Sequence, residues 1–323
     1  MRKFVFFGGK GGVGKTTVSS AYALKCANAG LDTLVVSTDP AHSTSDVFDQ
    51  QFSDTPQAVD GVEGLWAMEI DPDDEVERHL METKRAMGDQ VSAAMVNEVD
   101  RQIEMAHQTP GAYEAALFDR FIDVMRNSEE YDRVVFDTSP TGGTLRLLSL
   151  PEFLEGWIDR LLAKRKQSVK LFERAAIGNN EPRRMMDGDP IIARLEARKE
   201  QFEFAGDVLR NEAAFFLVVN PDELSLRETR RAVDGLDDYG LDVRGLVVNK
   251  LSPEPGPDEE GVGAQFLRQR VATERERLRE LREDFETPVV AEIRLRVAEV
   301  KGDFLADVAE ELGIDVVVEA DAV

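Results

Sequence analysis

Residues Gly8 to Thr17 read Gly-Gly-Lys-Gly-Gly-Val-Gly-Lys-Thr-Thr, and from Gly9 onward they match the phosphate-loop pattern G-x-x-x-x-G-K-[ST]. No other stretch restricts the fold as much, because such a loop works only between a buried strand and the start of a helix. Both neighbours have the required composition. Lys3 to Phe7 is a β-branched and aromatic run, and Thr17 to Ala29 is helix-forming, with Gly30 placed to end it. The glycines let successive backbone N–H groups turn toward one anion, Lys15 adds a point charge, and the Thr16 hydroxyl is the expected Mg²⁺ ligand. The expected nucleotide contacts are Gly9, Lys10, Gly11, Gly12, Val13, Gly14, Lys15, Thr16 and Thr17.

Further strand-like runs occur at Thr33 to Ser37, Leu65 to Ile70, Arg133 to Phe136, Ala214 to Val219, Gly245 to Asn249 and Val289 to Ile293. Most are apolar throughout, the pattern of strands covered on both faces. They predict an α/β protein with a doubly wound, mostly parallel sheet. Two segments interrupt the alternation and read as helices: 73–131, rich in Glu, Met, Ala and Arg, and 151–211, which opens with the stripe Phe153-Leu154, Trp157-Ile158, Leu161-Leu162. The expected organisation is one domain with core 1–72, 132–150 and 212–318, carrying helical inserts 73–131 and 151–211. Ser252 to Gly263 reads as a mobile loop.

Val35 to Ser43 and Val134 to Arg146 each place an aspartate at the carboxyl end of a buried run, where ligands collect in open α/β sheets. Asp137 is expected to serve Mg²⁺ directly or through a water. Asp39 is expected to position or deprotonate the attacking water and to reach the ion through it. Aspartate before Pro or Thr is also a common turn or helix-cap residue, so these roles depend on the phosphate loop.

The second loop lysine, Lys10, resembles the deviant phosphate loop of dimeric ATPases of the Min/Par, nitrogenase-iron-protein and arsenite-pump group. Thr38-Asp39-Pro40-Ala41-His42, Pro110 to Ala115, Asp137 to Gly142 and Leu147 to Pro151 together resemble the ATPases that target tail-anchored membrane proteins in the guided-entry pathway, and their relatives the arsenite-pump ATPases. The likeness runs from Met1 to about Leu312. It implies a P-loop ATPase, active as a homodimer with ATP and Mg²⁺, in which Lys10 reaches the partner's phosphates and acts with Lys15 and Asp39 in catalysis. It also implies that Asn249, in Leu246 to Lys250, recognises adenine, and that Pro288 to Arg294, including Glu292, forms the loop over the base. In the targeting family the helical inserts build a groove for a client's transmembrane helix; Met81, Met87, Met95, Met105, Met185 and Met186 would suit such a groove, or a small helical core. The partner at the membrane would be a receptor or a pump subunit, and a chaperone-like holdase is a further alternative.

Departures from the pattern matter too. The eukaryotic targeting factor shares zinc across its dimer through a Cys-x-x-Cys pair, whereas Asn249 to Arg270 contains no cysteine, so zinc is not expected. A lone Cys26 argues against a thiol-bound As(III) switch, and the chain is as long as one half of the tandem pump ATPase. Gly143 stands where many relatives have histidine. His42, His79 and His107 have no metal-ligand spacing.

Lys164-Arg165-Lys166 with Lys170 is a basic run that would suit an acidic partner or a solvated helix face. No segment approaches the about 18 continuous apolar residues of a membrane span, which suggests a cytoplasmic protein. A net charge of −24 and a sequence pI near 4.6 disfavour nucleic-acid contacts. So dense a carboxylate surface is best tolerated where salt screens its self-repulsion over about 3 Å at 1 M. Thermal unfolding in KCl is expected to shift upward between low and molar salt; a flat series would show that the acidity is unrelated to high salt.

Overall fold

The computed structural model describes residues 2–38, 43–71, 74–75, 78, 112–138, 158–164, 167, 190–298 and 300–316. Their strands form one eight-stranded sheet: β1 (Phe4–Gly9), β2 (Thr33–Ser37), β3 (Gln57–Ala58), β4 (Leu65–Glu69), β5 (Arg133–Asp137), β6 (Ala213–Val219), β7 (Val243–Leu251) and β8 (Val289–Arg294). The order is β3-β4-β2-β5-β1-β6-β7-β8, and every neighbouring pair is parallel except β3 with β4. Seven of these strands coincide, give or take two residues at an end, with the apolar runs. β3 has two exposed residues and no apolar run to betray it.

The two faces of the sheet follow from the period of two along each strand. Val5, Phe7, Val35, Val135, Phe216, Val218 and Val247 share a core with α1 (Lys15–Asn28) and α7 (Asp303–Glu311). Phe6 points the other way. Its ring stacks on Phe136 at 4.5 Å and on Phe215 at 5.0 Å, while Phe121 of α3 (Ala112–Arg126) meets Phe136 edge-on at 5.2 Å.

Local signals set the helix ends. Gly30, at φ +87°, closes α1: its N–H donates to the Ala27 carbonyl at 2.8 Å and the Leu31 N–H to the Cys26 carbonyl at 3.2 Å, so two terminal carbonyls gain partners. Asp222 caps α5 (Glu223–Asp237), accepting from the Ser225 N–H at 2.8 Å.

At the amino edge of the sheet the buried Arg133 guanidinium donates to the carbonyls of Arg2 and Val316, at 2.9 Å for the latter, and the Tyr22 hydroxyl donates to the Asp315 carbonyl at 3.3 Å. Lys25 reaches the Leu312 carbonyl. The chain after α7 is thereby fastened beneath β1 and β5.

Two compact units emerge, 1–147 with 212–323, and 148–211. The smaller unit takes in the second insert and the three residues before it. α3, the described part of the first insert, buries Phe118, Phe121 and Ile122 and belongs to the unit that holds the sheet. Amphipathic helices that cover a sheet and those that pack with one another share a 3.6-residue period, so the pattern could not separate them. In the smaller unit, the helical stretch 158–164 and α4 (Pro190–Asn211) bury Ile158, Leu162, Phe202 and Val208, and Lys199 pairs with Asp159 at 2.7 Å. The two remaining helices are α2 (Ser43–Phe48) and α6 (Val262–Asp284). The last of these begins within Ser252 to Gly263, most of which runs without regular structure.

If α3 is part of the sheet's cover, Phe121→Ala should cost about 3–5 kcal/mol of unfolding free energy. Urea unfolding measures it, and a loss below about 1 kcal/mol would detach α3 from the core.

Candidate active site

The site lies at the carboxyl edge of the sheet, where β1 passes into α1. Gly9 ends β1 at φ +143°, and a Cβ there would stand 2.3 Å from the Val218 carbonyl oxygen of β6. Gly14 caps α1 at φ +94°, and its Cβ would stand 2.4 Å from Asn249 Nδ2. Any other residue at either position would push a neighbouring strand away. The loop between them leaves Gly11 and Gly12 exposed and turns Lys15 inward. Lys15 is buried, and its ammonium donates to the Lys10 carbonyl at 3.3 Å. The first turn of α1 carries no acidic residue and no side-chain cap, so its N–H groups and positive dipole end face the loop undiminished, a ready anion site.

Asp137 is buried at the end of β5, in register with Phe7 on one side and Ser37 on the other. The next residue holds β5 to β1: the Thr138 hydroxyl donates to the Phe7 carbonyl at 2.9 Å. On the β2 side the Thr38 N–H donates to the Asp137 carbonyl at 3.2 Å. Thr16 and Ser43 line a cavity at this edge of the sheet. Hydroxyl and carboxylate oxygens at adjoining strand and helix ends are the donor set a hard ion such as Mg²⁺ takes. Asp39 and His42 lie outside the described residues, as do Gly143, His79, His107, the six insert methionines, Arg165, Lys166 and Lys170.

The cavity holds about 360 Å³, within the range of small-molecule sites. Its far wall is the end of β7, with Asn249 and Lys250, and the residues that follow β8. Ile293, Arg294, Leu295, Arg296 and Val300 line it, and Arg296 pairs with Glu311 of α7 at 3.0 Å. Pro288 accepts from the Leu246 N–H at 2.8 Å, four residues before Lys250 and so about 13 Å down the strand. Glu292 projects from β8 to Arg282 of α6. Val289–Arg294 is a strand, and its last two residues, Ile293 and Arg294, begin the wall of the cavity. A larger cavity, about 610 Å³, opens at the opposite edge beside Asp234, Asp237, Asp242, Asp284 and Glu286; its carboxylates suit no phosphate.

Sequence reasoning overlooked two residues. Glu69, at the end of β4, is buried and accepts from the Ser45 N–H and Ser45 hydroxyl, both at 2.8 Å, so it pins the first turn of α2. A lone carboxylate inside an otherwise apolar strand run was the available signal. The other is Lys250, at φ +61°. Asn249 is placed at the pocket as expected, but its amide donates to the Val13 carbonyl at 2.8 Å and accepts from the Lys250 N–H at 2.8 Å. Cys26 is buried in the last turn of α1, and burial pushes its thiol above the ordinary range, which keeps it protonated.

Known proteins bear on this geometry. The family model for the anion-transporting ATPase matches residues 2–313. A protein of Aquifex aeolicus, provisionally named arsenical pump-driving ATPase 2, is 33% identical over 88% of this chain and 90% of its own length. The ATPase GET3 of Chaetomium globosum is 34% identical over 93% of this chain and 86% of its own. A provisionally named arsenical pump-driving ATPase of Halobacterium salinarum is 34% identical over 99% of this chain, which spans 45% of that protein. With the glycine loop, the helix start and the buried carboxylate assembled at one sheet edge, and with these relatives matched along nearly the whole chain, the protein belongs to the anion-transporting ATPase family and is a P-loop ATPase.

Proposed function

We propose that this ATPase is a homodimeric switch that binds the carboxyl-terminal transmembrane helix of tail-anchored clients and releases it at a membrane. The observation that carries the switch is a cavity lined by Gly12, Gly14 to Thr17 and the end of β7, with the buried carboxylate of Asp137 at the same edge of the sheet. The client reading draws its support from the likeness to the GET3 relative over 93% of the chain, which takes in the helical unit 148–211. Among the described residues no helix is long and apolar enough to cross a membrane, so the binding partner, not this chain, would supply the membrane segment.

In this mechanism the N–H groups of the loop and of the first turn of α1, with Lys15, hold the β- and γ-phosphates. Thr16 and Asp137 would hold Mg²⁺, which would supply positive charge to offset that of the phosphates. Asp39 orients a water in line with the γ-phosphorus and takes its proton, and Lys10 reaches across to the partner's nucleotide, where charge grows on the leaving oxygen. The segment bearing Asp39 runs between two fixed points: Thr38, tied to Asp137, and Ser45, tied to Glu69. ADP and phosphate are the products.

A second reading is the soluble motor of an anion efflux pump. The family description and the name of the Aquifex aeolicus relative favour it. An arsenite switch built on a thiol would have to rest on Cys26, which is buried within α1.

Two sets of outcomes test these roles. Asp39→Asn should keep ATP binding and lose about 10²–10⁴-fold in turnover, and Lys10→Ala should bind ATP but lose about 10³-fold. Nucleotide binding and phosphate release measure both, and wild-type turnover in either variant overturns that role. Co-expression of Asp39→Asn with a tagged carboxyl-terminal transmembrane segment should yield, in ATP and Mg²⁺, a client-bound dimer or larger assembly by light scattering. A nucleotide-closed dimer that excludes the segment would shift the assignment to the pump motor.

A further inference from the structure

The β7–β8 ladder is irregular at two places, between Leu246 and Val247 and between Val248 and Leu251, and the second adjoins the phosphate loop. Val248 pairs with Glu292 and Leu251 with Arg294, so three steps on β7 oppose two on β8. The extra residue falls at Asn249 and Lys250, and Lys250 takes up a left-handed backbone, φ +61°, that side chains other than glycine's seldom adopt. A bulge of this kind re-aims side chains. Here it turns both residues toward the phosphate loop: the Lys250 ammonium donates to the Gly12 carbonyl at 2.6 Å, and the Asn249 amide to the Val13 carbonyl at 2.8 Å.

These are two consecutive carbonyls of the loop. In a trans peptide the C=O and the following N–H point in opposite directions. Fastening the Gly12 and Val13 carbonyls toward β7 therefore aims the N–H groups of Val13 and Gly14 away from β7. Glycines let the backbone reach this arrangement and equally let it leave, so a loop of such composition needs an external anchor to stay pre-organised. A lysine suits the task because it ends in a charged donor at the tip of a long stem, and it leaves its positive charge beside the loop.

We propose that Lys250 is a positioning residue for phosphate binding: its ammonium, delivered by the left-handed bulge in β7, sets the peptide planes of the loop that receives the nucleotide. The inference rests on the nucleotide reading of that loop. Lys15 also donates to a loop carbonyl, that of Lys10, but from the helix that continues the loop, whereas Lys250 reaches the loop from a separate strand.

The test compares Lys250→Met, which keeps most of the stem and loses the donor, with Lys250→Arg, which keeps a donor and the charge. ADP and inorganic pyrophosphate are titrated against the full-length protein, and thermal unfolding is recorded without ligand. Loss of a charge-assisted hydrogen bond is expected to weaken both ligands roughly ten- to hundredfold in Lys250→Met. Lys250→Arg should recover most of that loss, and the unfolding temperature of Lys250→Met should match the wild type. A merely structural lysine would lower the unfolding temperature and leave pyrophosphate affinity unchanged, which overturns the proposal. It is equally overturned if Lys250→Arg binds no better than Lys250→Met, or if Lys250→Met fails to fold while Lys250→Arg folds and binds as weakly as a loop without its anchor. A wild type that binds neither ADP nor pyrophosphate would remove the nucleotide reading itself, whereas a binding wild type with an equally binding Lys250→Met would remove the anchor alone.

Discussion

The closeness of Gly9 to the Val218 carbonyl oxygen governs the rest of the site. Where a Cβ would sit 2.3 Å from that oxygen, only a glycine lets β1 and β6 remain paired while the chain turns out of the sheet. That turn decides where α1 starts, and α1 can aim its positive end at an anion only if it starts there. The second close approach, Gly14 against Asn249, does the same on the other side of the loop. Between these two contacts the backbone has little choice, although two of its four residues, Gly11 and Gly12, tolerate any backbone angle. The rigidity is supplied by neighbours, β6 behind the loop and β7 beside it.

This division explains what could be read from the chain directly. Buried parallel strands announce themselves as apolar runs, and Phe4–Gly9, Arg133–Asp137 and Ala213–Val219 did so because neither face meets water. The glycine loop is equally legible, since its function depends on composition. What stayed hidden were pairings between residues distant in sequence. Nothing near Lys250 reveals that its ammonium lies on a carbonyl 238 residues away. Glu69 is likewise an isolated carboxylate until the fold brings Ser45 to it. Pro288 and Glu292 are not among the residues that line the cavity, which takes in Ile293 and Arg294 at the end of β8 and Leu295 and Arg296 beyond it.

The helical inserts were read from a period that reports which face of a helix is apolar and is silent on what covers that face. α3 presents Phe121 to the aromatic cluster of the sheet, and α4 buries Phe202 and Val208 within a separate unit. Both have amphipathic composition. A sheet covered on both faces needs a helix on the side opposite α1, and α3 supplies one.

Charge imposes a last condition on the mechanism. The chain carries −24, yet the described residues lining the cavity include Lys15, Lys250, Arg294 and Arg296 and no carboxylate. At low salt the surrounding acidity would repel an incoming polyphosphate over about 10 Å or more, whereas at molar salt that field decays within about 3 Å. Contacts made at hydrogen-bond distance inside a recess are screened much less. An acidic nucleotide-binding protein in strong salt thus gives up long-range steering and binds its anion by fixed local donors: loop N–H groups, a helix start and a few enclosed cations. The anchoring of the loop then matters more than the charge of the whole chain, because donors held in place before binding need no reorganisation when the phosphate arrives.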